Sequence, residues 1–117
     1  VRVAALRPAT REIEAYFAGR LHVFRTPVDL RLAGTPFARA VLEVVHAIPY
    51  GELWTYGDVA GMAGRPRAAR AAGTVLAHAP IELFLPCHRV VPSGPGYGSY
   101  GGAEGRREWL LRHEGAI

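Results

Sequence analysis

The sequence predicts a mainly α-helical domain with a short β element, organised as a helix-turn-helix of the winged-helix-like kind. Apolar residues after Thr35 repeat at the spacing of a core helix. Between residues 55 and 76, two short helical segments are separated by a turn that contains glycine, which is the helix-turn-helix pattern. A short apolar run before Pro86 and two valines after Arg89 predict the β element.

Length and composition limit the possible classes of protein. With 117 residues, half of them hydrophobic, the chain is long enough for one domain with a core. No apolar run reaches the length of about 18 residues that a transmembrane helix needs, and Val1 to Ala5 are too short for a signal peptide. The single cysteine excludes an internal disulfide and a multi-cysteine zinc site. We therefore expect a cytoplasmic protein without metal, cofactor or membrane partner.

The first third of the chain predicts one helix and little else. Thr10 resembles an N-cap with acidic residues in the following turn, and Gly19 marks the end of the helix. A short extended piece is expected around Pro27. This segment is thin for an independent domain, so we expect residues 1–30 to be a remnant lobe and residues 31–117 to be the main domain. The apolar face of the helix consists of Ile13, Tyr16 and Phe17.

A second helix is predicted to build the core of the main domain. Thr35 and Pro36 form a strong helix start, as N-cap and first helical residue. The turn from Ile48 to Gly51 follows this helix. Its apolar face, which we interpret as structural, consists of Phe37, Val41, Val44, Val45 and Ile48.

The helix-turn-helix follows directly. Thr55 caps the first short helix, Gly64 ends it, and Pro66 opens a second helix that continues to Leu76. In this motif the second helix meets DNA. The exposed face predicted to contact DNA consists of Arg67, Arg70, Ala71 and Thr74.

The residue types on that face favour DNA binding without base-sequence preference. The net charge is +4 and all 14 basic residues are arginines, a mild indication of nucleic acid binding. The second helix carries no Asn, Gln or Lys that could read base edges in the major groove. Its small residues and the central Arg70 suit close approach to the DNA backbone. The alternative is two packed helices with solvated arginines.

The only cysteine, Cys87, is the candidate nucleophile because His88 and Arg89 follow it directly. Neighbouring basic groups can lower a thiol pKa from about 8.5 and so make thiolate available at neutral pH. Pro86 fits the end of a strand, which predicts that Cys87 lies at an accessible rim. The alternative is that Cys87 is a small buried hydrophobic residue.

A glycine-rich loop and a last helix follow the cysteine. Gly96 to Gly101 has the spacing GxGxxG, but too little chain follows for a second parallel strand, so we reject a dinucleotide site. A mobile loop that walls a pocket is the preferred interpretation. The helix from Gly105 to His113 carries three arginines, predicted to form a solvated or phosphate-facing surface: Arg106, Arg107 and Arg112.

Several motifs together resemble the DNA-binding domain of the O6-alkylguanine-DNA alkyltransferases, over about residues 31 to 115. These motifs, in order, are Ile48-Pro49-Tyr50-Gly51, Ala68-Ala69-Arg70-Ala71, Pro86-Cys87-His88-Arg89-Val90-Val91, Tyr100-Gly101-Gly102 and Glu108-Trp109-Leu110-Leu111. The resemblance implies the C-terminal domain of that family with a truncated N-terminal lobe. It also implies direct-reversal DNA repair, in which an alkyl group moves irreversibly from guanine O6 to a cysteine in a single turnover. The implied partner is double-stranded DNA containing O6-alkylguanine, bound by a monomer.

The resemblance assigns a chemical role to each matching position. Cys87 is the alkyl acceptor, His88 takes the thiol proton through a water molecule, and Glu114 orients His88. Arg89 has a structural role without chemistry. A bound water is expected because side chains of sequence neighbours usually point apart.

The resemblance also assigns roles in DNA binding. Tyr56 presses on the phosphate 3′ of the lesion, and Arg70 fills the gap in the base stack after the nucleotide is flipped. Tyr100 lines the pocket and donates to the departing guanine. The remaining implied pocket residues are Gly98, Ser99 and Gly101.

The sequence departs from the family pattern at three positions. Ala79 stands where asparagine usually braces the turn after the recognition helix, Gly101 replaces a serine of some members, and Leu42 replaces a common tryptophan. One alternative function is therefore an alkyltransferase-like sensor that binds the lesion and recruits excision repair without chemistry. A helix-turn-helix regulator is a weaker alternative because it does not explain the combination of Cys87, His88 and Glu114. A cysteine hydrolase is also weaker because the sequence shows no second general acid and no oxyanion arrangement.

Overall fold

A computed structural model describes residues 3–26, 28, 30, 33–78, 83–94 and 105–117, of which residues 3–7 are described by their backbone alone. The described part is mainly helical with a small parallel sheet, as the sequence predicts. Its elements are α1 (Val3–Phe17), α2 (Pro36–His46), β1 (Trp54–Thr55), α3 (Tyr56–Met62), α4 (Ala69–Ala77), a 3-10 helix (Cys87–Arg89), β2 (Val90–Val91) and α5 (Arg106–His113).

Helix α1 begins at Val3, so the prediction that Thr10 caps its N-terminus is wrong. The residues before Thr10 include alanine, leucine and arginine, which are strong helix formers and continue the helix upstream. Gly19 ends the segment as predicted, with a positive φ of 76°. Residues 22–26, 28 and 30 form no strand, and Pro27 lies outside the described residues.

Helix α2 forms the centre of the core and follows its predicted start. The Thr35 side chain accepts a hydrogen bond of 3.0 Å from the backbone N–H of Ala38, and Pro36 is the first helical residue. Leu42 lies on the core side of α2 with its side chain buried. This is the position at which the alkyltransferase pattern commonly has a tryptophan. The buried residues of α2 are Ala38, Val41, Leu42 and Val45.

The helix-turn-helix forms with one boundary shifted. Thr55 caps α3 in a reciprocal capping box with Asp58, as its position predicts for an N-cap. Helix α4 begins at Ala69 instead of Pro66, so Arg67 precedes the helix. The reason is a turn closed by the hydrogen bond from Ala68 N to Arg65 O, because proline at the second turn position suits such a turn as well as a helix start.

A two-residue parallel sheet joins the helix-turn-helix to the cysteine segment. Trp54 pairs with Val90 and Thr55 pairs with Val91, so the strand that leads into α3 lies beside the strand that follows the 3-10 helix. Residues 81 and 82 of the strand expected before Pro86 lie outside the described residues; residues 83–85 show only a single bridge, at Leu85, and Leu83 has a positive φ of 71°. Across the described residues, no helix is long and apolar enough to cross a membrane.

Candidate active site and DNA-facing surface

Cys87 opens the 3-10 helix and packs into the core. Its side chain is 6 % exposed and belongs to the same apolar cluster as α2 residues. The turn is tight, with Cys87 N donating to Leu85 O at 2.7 Å and Arg89 N donating to Pro86 O at 3.0 Å. The prediction that Cys87 lies at an accessible rim is therefore wrong, because Cys87 begins a 3-10 turn that buries its side chain and does not lie at the end of a strand.

The buried Glu114 carboxylate is the common hydrogen-bond acceptor for several side chains. His88 Nε2 lies 2.7 Å from Glu114 Oε2, and Tyr16 donates its hydroxyl to the same oxygen at 2.6 Å. Arg89 donates through both Nε, at 2.8 Å to Oε1, and Nη2, at 2.9 Å to Oε2. Such a two-pronged contact fixes the carboxylate in one plane. We call Tyr16, His88, Arg89 and Glu114 the buried cluster.

The surroundings keep Glu114 charged and His88 neutral. Burial alone would raise the pKa of Glu114, but hydrogen bonds from His88 and Arg89 outweigh it and hold that pKa well below the usual range. Burial lowers the pKa of His88, and the bond to Glu114 offsets this only in part. At neutral pH the cluster therefore holds a carboxylate beside a neutral imidazole.

These charges determine which imidazole nitrogen is basic. An ionised carboxylate only accepts hydrogen bonds, so the hydrogen between His88 and Glu114 is on Nε2 of His88. In a neutral imidazole, Nδ1 then carries the lone pair. His88 is thus prepared to accept a proton at Nδ1.

Arg89 anchors the buried cluster to the turn after α2. Its Nη1 donates to Ile48 O at 2.7 Å, and its guanidinium lies 5.6 Å from the centre of the Tyr50 ring. From the same turn, Gly51 N donates to Glu114 Oε1 at 3.3 Å. The contacts of Arg89 are those of a structural residue.

Sequence reasoning did not identify Tyr16 as part of this site. The helical spacing placed Tyr16 only on an apolar face, and it is indeed fully buried. The one indication in the sequence is the hydroxyl itself, because a buried tyrosine hydroxyl usually has a hydrogen-bond partner. The partner, Glu114, is 98 residues away, and nothing in the local sequence points to it.

Arg107 corrects a further prediction. Arg106 and Arg112 are exposed as predicted, whereas Arg107 is buried with 4 % exposure and donates from Nη2 to the Tyr56 hydroxyl at 3.1 Å. Arg107 lies three and four residues before Leu110 and Leu111 and therefore shares the core face of α5.

Three of the five predicted DNA-facing residues, Tyr56, Arg70 and Thr74, line an open groove between α3 and α4. The groove has a volume of about 890 Å³, and its lining includes Tyr56, Arg70, Thr74 and Ser93. Ala71 is exposed on α4, and Arg67 is exposed in the turn before that helix. The Tyr56 ring lies over Gly73, where an added Cβ would be 3.7 Å from the ring. The four predicted pocket residues, Gly98, Ser99, Tyr100 and Gly101, lie outside the described residues, as does Ala79.

Comparison with known proteins identifies the family. Residues 36–116 match the family described as "6-O-methylguanine DNA methyltransferase, DNA binding domain". The chain belongs to this family. Over 118 aligned residues it is 43 % identical to the methylated-DNA–protein-cysteine methyltransferase of Salmonella typhimurium, covering 99 % of this chain and 68 % of that protein. The family resemblance predicted from the motifs is therefore confirmed.

Solved structures of relatives confirm the fold class. Mycobacterium tuberculosis OGT in complex with DNA superposes with a TM-score of 0.85 at 42 % identity, over 92 % of this chain and 64 % of that chain. Schizosaccharomyces pombe Atl1 in complex with damaged DNA containing O6-carboxymethylguanine gives a TM-score of 0.61 at 34 % identity, over 68 % of this chain and 75 % of that chain. This chain thus spans about two thirds of the length of the methyltransferases it matches. Membership of a methyltransferase family favours repair by alkyl transfer over a non-catalytic sensor.

Proposed function

We propose that the protein repairs double-stranded DNA by moving an alkyl group, commonly methyl, from O6 of guanine to Cys87, once per molecule. It acts as a monomer in the cytoplasm and uses no cofactor. The single observation that carries the proposal is the buried cluster, which includes the two residues that follow the only cysteine in the sequence. A carboxylate there accepts a hydrogen bond from Nε2 of a neutral histidine, so Nδ1 is the basic nitrogen, and an adjacent base is one means of activating a thiol.

Proton transfer precedes the alkyl transfer. His88 Nδ1 accepts the thiol proton of Cys87 through a bridging water, and the imidazolium that forms is stabilised by the Glu114 carboxylate 2.7 Å from Nε2. Arg89 neutralises part of the charge on Glu114 and keeps the carboxylate in place. The product of this step is a thiolate, which is the nucleophilic form of cysteine.

In the transfer step the Sγ–CH₃ bond forms and the O6–CH₃ bond breaks. The electron pair of the broken bond remains on the guanine, which takes up a proton as it leaves, with Tyr100 as the proposed donor. The thiol proton held by His88 then passes through water to Tyr100, so that both side chains are neutral again and the net change is the exchange of the thiol proton for the methyl group. Because the thioether of Cys87 has no leaving group that water can displace readily, each molecule reacts once.

DNA binding supplies access to the lesion. The target oxygen is out of reach inside a duplex, so the nucleotide must be flipped at a cost of a few kcal/mol. Tyr56 is proposed to press on the 3′ phosphate, and its hydroxyl is held by the buried Arg107 at 3.1 Å. Arg70, exposed beside the groove, is proposed to fill the space in the stack. Arg67, Ala71 and Thr74 are proposed to contact the backbone.

The deciding experiment measures intact mass after incubation with a duplex that contains one O6-methylguanine. We expect the protein to gain one methylene, mapped to the peptide with Cys87. The matched control, Cys87→Ala, should bind the same duplex without gaining mass. A duplex with unmodified guanine should leave both proteins unchanged.

Two outcomes would contradict the proposal. A mass gain that persists in Cys87→Ala would exclude Cys87 as the acceptor. Tight, lesion-selective binding by the unaltered protein without any mass gain would exclude alkyl transfer and assign the protein to the sensor class.

A further inference from the structure

We propose that Tyr16 of helix α1 is a positioning residue of the reaction centre, acting on His88 through a shared oxygen of Glu114. This inference rests on the proposed alkyl transfer. Tyr16 lies outside residues 36–116, the part that matches the family's DNA-binding domain. The N-terminal segment would therefore contribute directly to the chemistry of the main domain.

The geometry places three donors on one acceptor atom, and Arg89 Nη2, at 2.9 Å, is one of them. Glu114 Oε2 accepts the Tyr16 hydroxyl at 2.6 Å and lies 2.7 Å from His88 Nε2. Tyr16 is fully buried, as is His88. Burial raises the pKa of Tyr16, and the hydrogen bond to Glu114 raises it further. The phenol therefore stays protonated and acts as a donor to the carboxylate at any pH at which the protein works.

The tyrosine ring is fixed by its surroundings. Its centre lies 5.3 Å from that of Phe17 in an edge-to-face contact and 5.5 Å from that of Phe24. His113 Nε2 lies 2.7 Å from the backbone oxygen of Tyr16, which ties α1 to α5. A hydroxyl held in this way approaches Glu114 from a constant direction, so the position of Oε2 is set before substrate binds.

The hydroxyl of Tyr16 changes how strongly Glu114 stabilises a charged His88. A hydrogen bond from Tyr16 withdraws electron density from Oε2, so the carboxylate attracts a proton on His88 less strongly. Without that hydroxyl, the imidazolium would be more stable and His88 would be protonated at higher pH. The charged and titratable groups that face the pair from the packed elements are Arg89, Arg107, Tyr16 and Tyr50.

The test compares Tyr16→Phe with the matched control Tyr50→Phe. Both changes remove one hydroxyl from a partly or fully buried tyrosine, but the Tyr50 hydroxyl donates to His113 O at 3.3 Å instead of to Glu114. The single-turnover transfer rate at saturating protein is measured from pH 5 to pH 9 with the O6-methylguanine duplex. In parallel, the His88 pKa is followed by NMR of the imidazole nitrogens.

We expect Tyr16→Phe to lower the transfer rate at neutral pH by about tenfold and to move the acidic limb of the pH profile to higher pH. The NMR pKa of His88 should rise in the same variant. Tyr50→Phe, which removes no hydrogen bond of Glu114, should shift the limb and the His88 pKa much less, and neither variant should change DNA affinity. Incorporation of 3-fluorotyrosine at position 16 makes a stronger donor of similar shape. It should move the acidic limb to lower pH and lower the His88 pKa.

Equal pH profiles and equal His88 pKa values in the two phenylalanine variants would overturn the role of Tyr16. If Tyr16→Phe did not fold, the fluorotyrosine protein would decide the question alone, and an unchanged His88 pKa there would overturn the role. Failure of the unaltered protein to transfer methyl would refute the proposed function instead. The NMR comparison would still test the coupling of Tyr16 to His88, because it does not depend on transfer.

Discussion

Two arginine-bearing regions of the molecule have opposite surroundings. In the buried cluster, Arg89 is 5 % exposed and has three hydrogen bonds with fixed acceptors. On α4, Arg70 is exposed beside an open groove. The first arrangement holds reacting groups in place before substrate arrives, whereas the second leaves a cation accessible to an anionic polymer. Substitutions in the buried cluster should therefore affect folding, and substitutions on α4 should affect DNA binding.

The largest expected effect on folding is that of Glu114→Gln. This change keeps the side-chain shape but leaves the buried Arg89 without its carboxylate partner. Removing one member of a buried ion pair is strongly destabilising, so we expect the free energy of unfolding to fall by about 3–5 kcal/mol. Denaturant unfolding followed by circular dichroism measures the change.

The matched control for this prediction is Glu43→Gln on α2. Glu43 accepts a hydrogen bond from Arg39 Nε at 3.2 Å, and both side chains are more than half exposed. Loss of such a surface pair should change the free energy of unfolding by less than about 0.5 kcal/mol. Similar losses in the two variants would show that the buried cluster is not a special source of stability.

The same contrast explains what could be predicted from the sequence. The cap of α2 at Thr35 and the capping box of α3 each involve residues only three positions apart. A short stretch of sequence is therefore enough to predict these helix starts. The contact between Tyr16 and Glu114 joins residues 98 positions apart, and no local pattern carries it. Arg107 is an intermediate case, because its charge led to the prediction of a solvated surface, although its spacing to Leu110 and Leu111 is that of the core face of α5.

Family resemblance supplied part of what local patterns lacked. The assignment of Cys87, His88 and Glu114 as a catalytic set stays a prediction, but His88 and Glu114 do lie 2.7 Å apart. The turn of Arg65 to Ala68 was missed because proline suits both a turn and a helix start. The inward position of Cys87 was missed because Pro86 indicates the end of a strand without indicating a 3-10 turn.

A smaller effect on folding is expected from the protonation of His88. The pKa of His88 is lower in the folded protein than in the unfolded chain, where it is about 6.5. At a pH between these two pKa values, only the unfolded chain binds the proton. The stability contributed by neutral His88 is therefore fully present above about pH 6.5 and is lost as the pH falls below it. We expect His88→Gln to be less sensitive to pH between 6.5 and 5 than the unaltered protein, as measured by urea unfolding at each pH.

The control for the pH prediction is His78→Gln, since His78 is exposed at the end of α4. This variant should retain the pH dependence of the unaltered protein in the same window. The window lies above the ordinary pKa of a glutamate, about 4.3, so protonation of Glu114 does not enter it. An unchanged slope in His88→Gln would mean that His88 is not the group that titrates.

The smallest effect on folding is expected from Arg70→Ala on the exposed face of α4. The free energy of unfolding should change by less than about 0.5 kcal/mol, because no buried contact is removed. DNA binding should change selectively. If Arg70 fills the stack after flipping, affinity for a duplex with O6-methylguanine should fall by about tenfold, while affinity for undamaged duplex should fall much less. Fluorescence anisotropy with both duplexes, at several salt concentrations, measures the difference.

Arg67→Ala sharpens this last comparison because it removes the same charge from the turn before α4. A phosphate contact carries no information about the lesion, so Arg67→Ala should weaken binding to both duplexes by the same factor and reduce the salt dependence of binding. If Arg70→Ala behaved identically, the side chain would be one more phosphate contact and the proposed filling of the stack would be wrong. Loss of lesion selectivity in Arg70→Ala alone would separate the residue that holds the flipped state from those that hold the duplex.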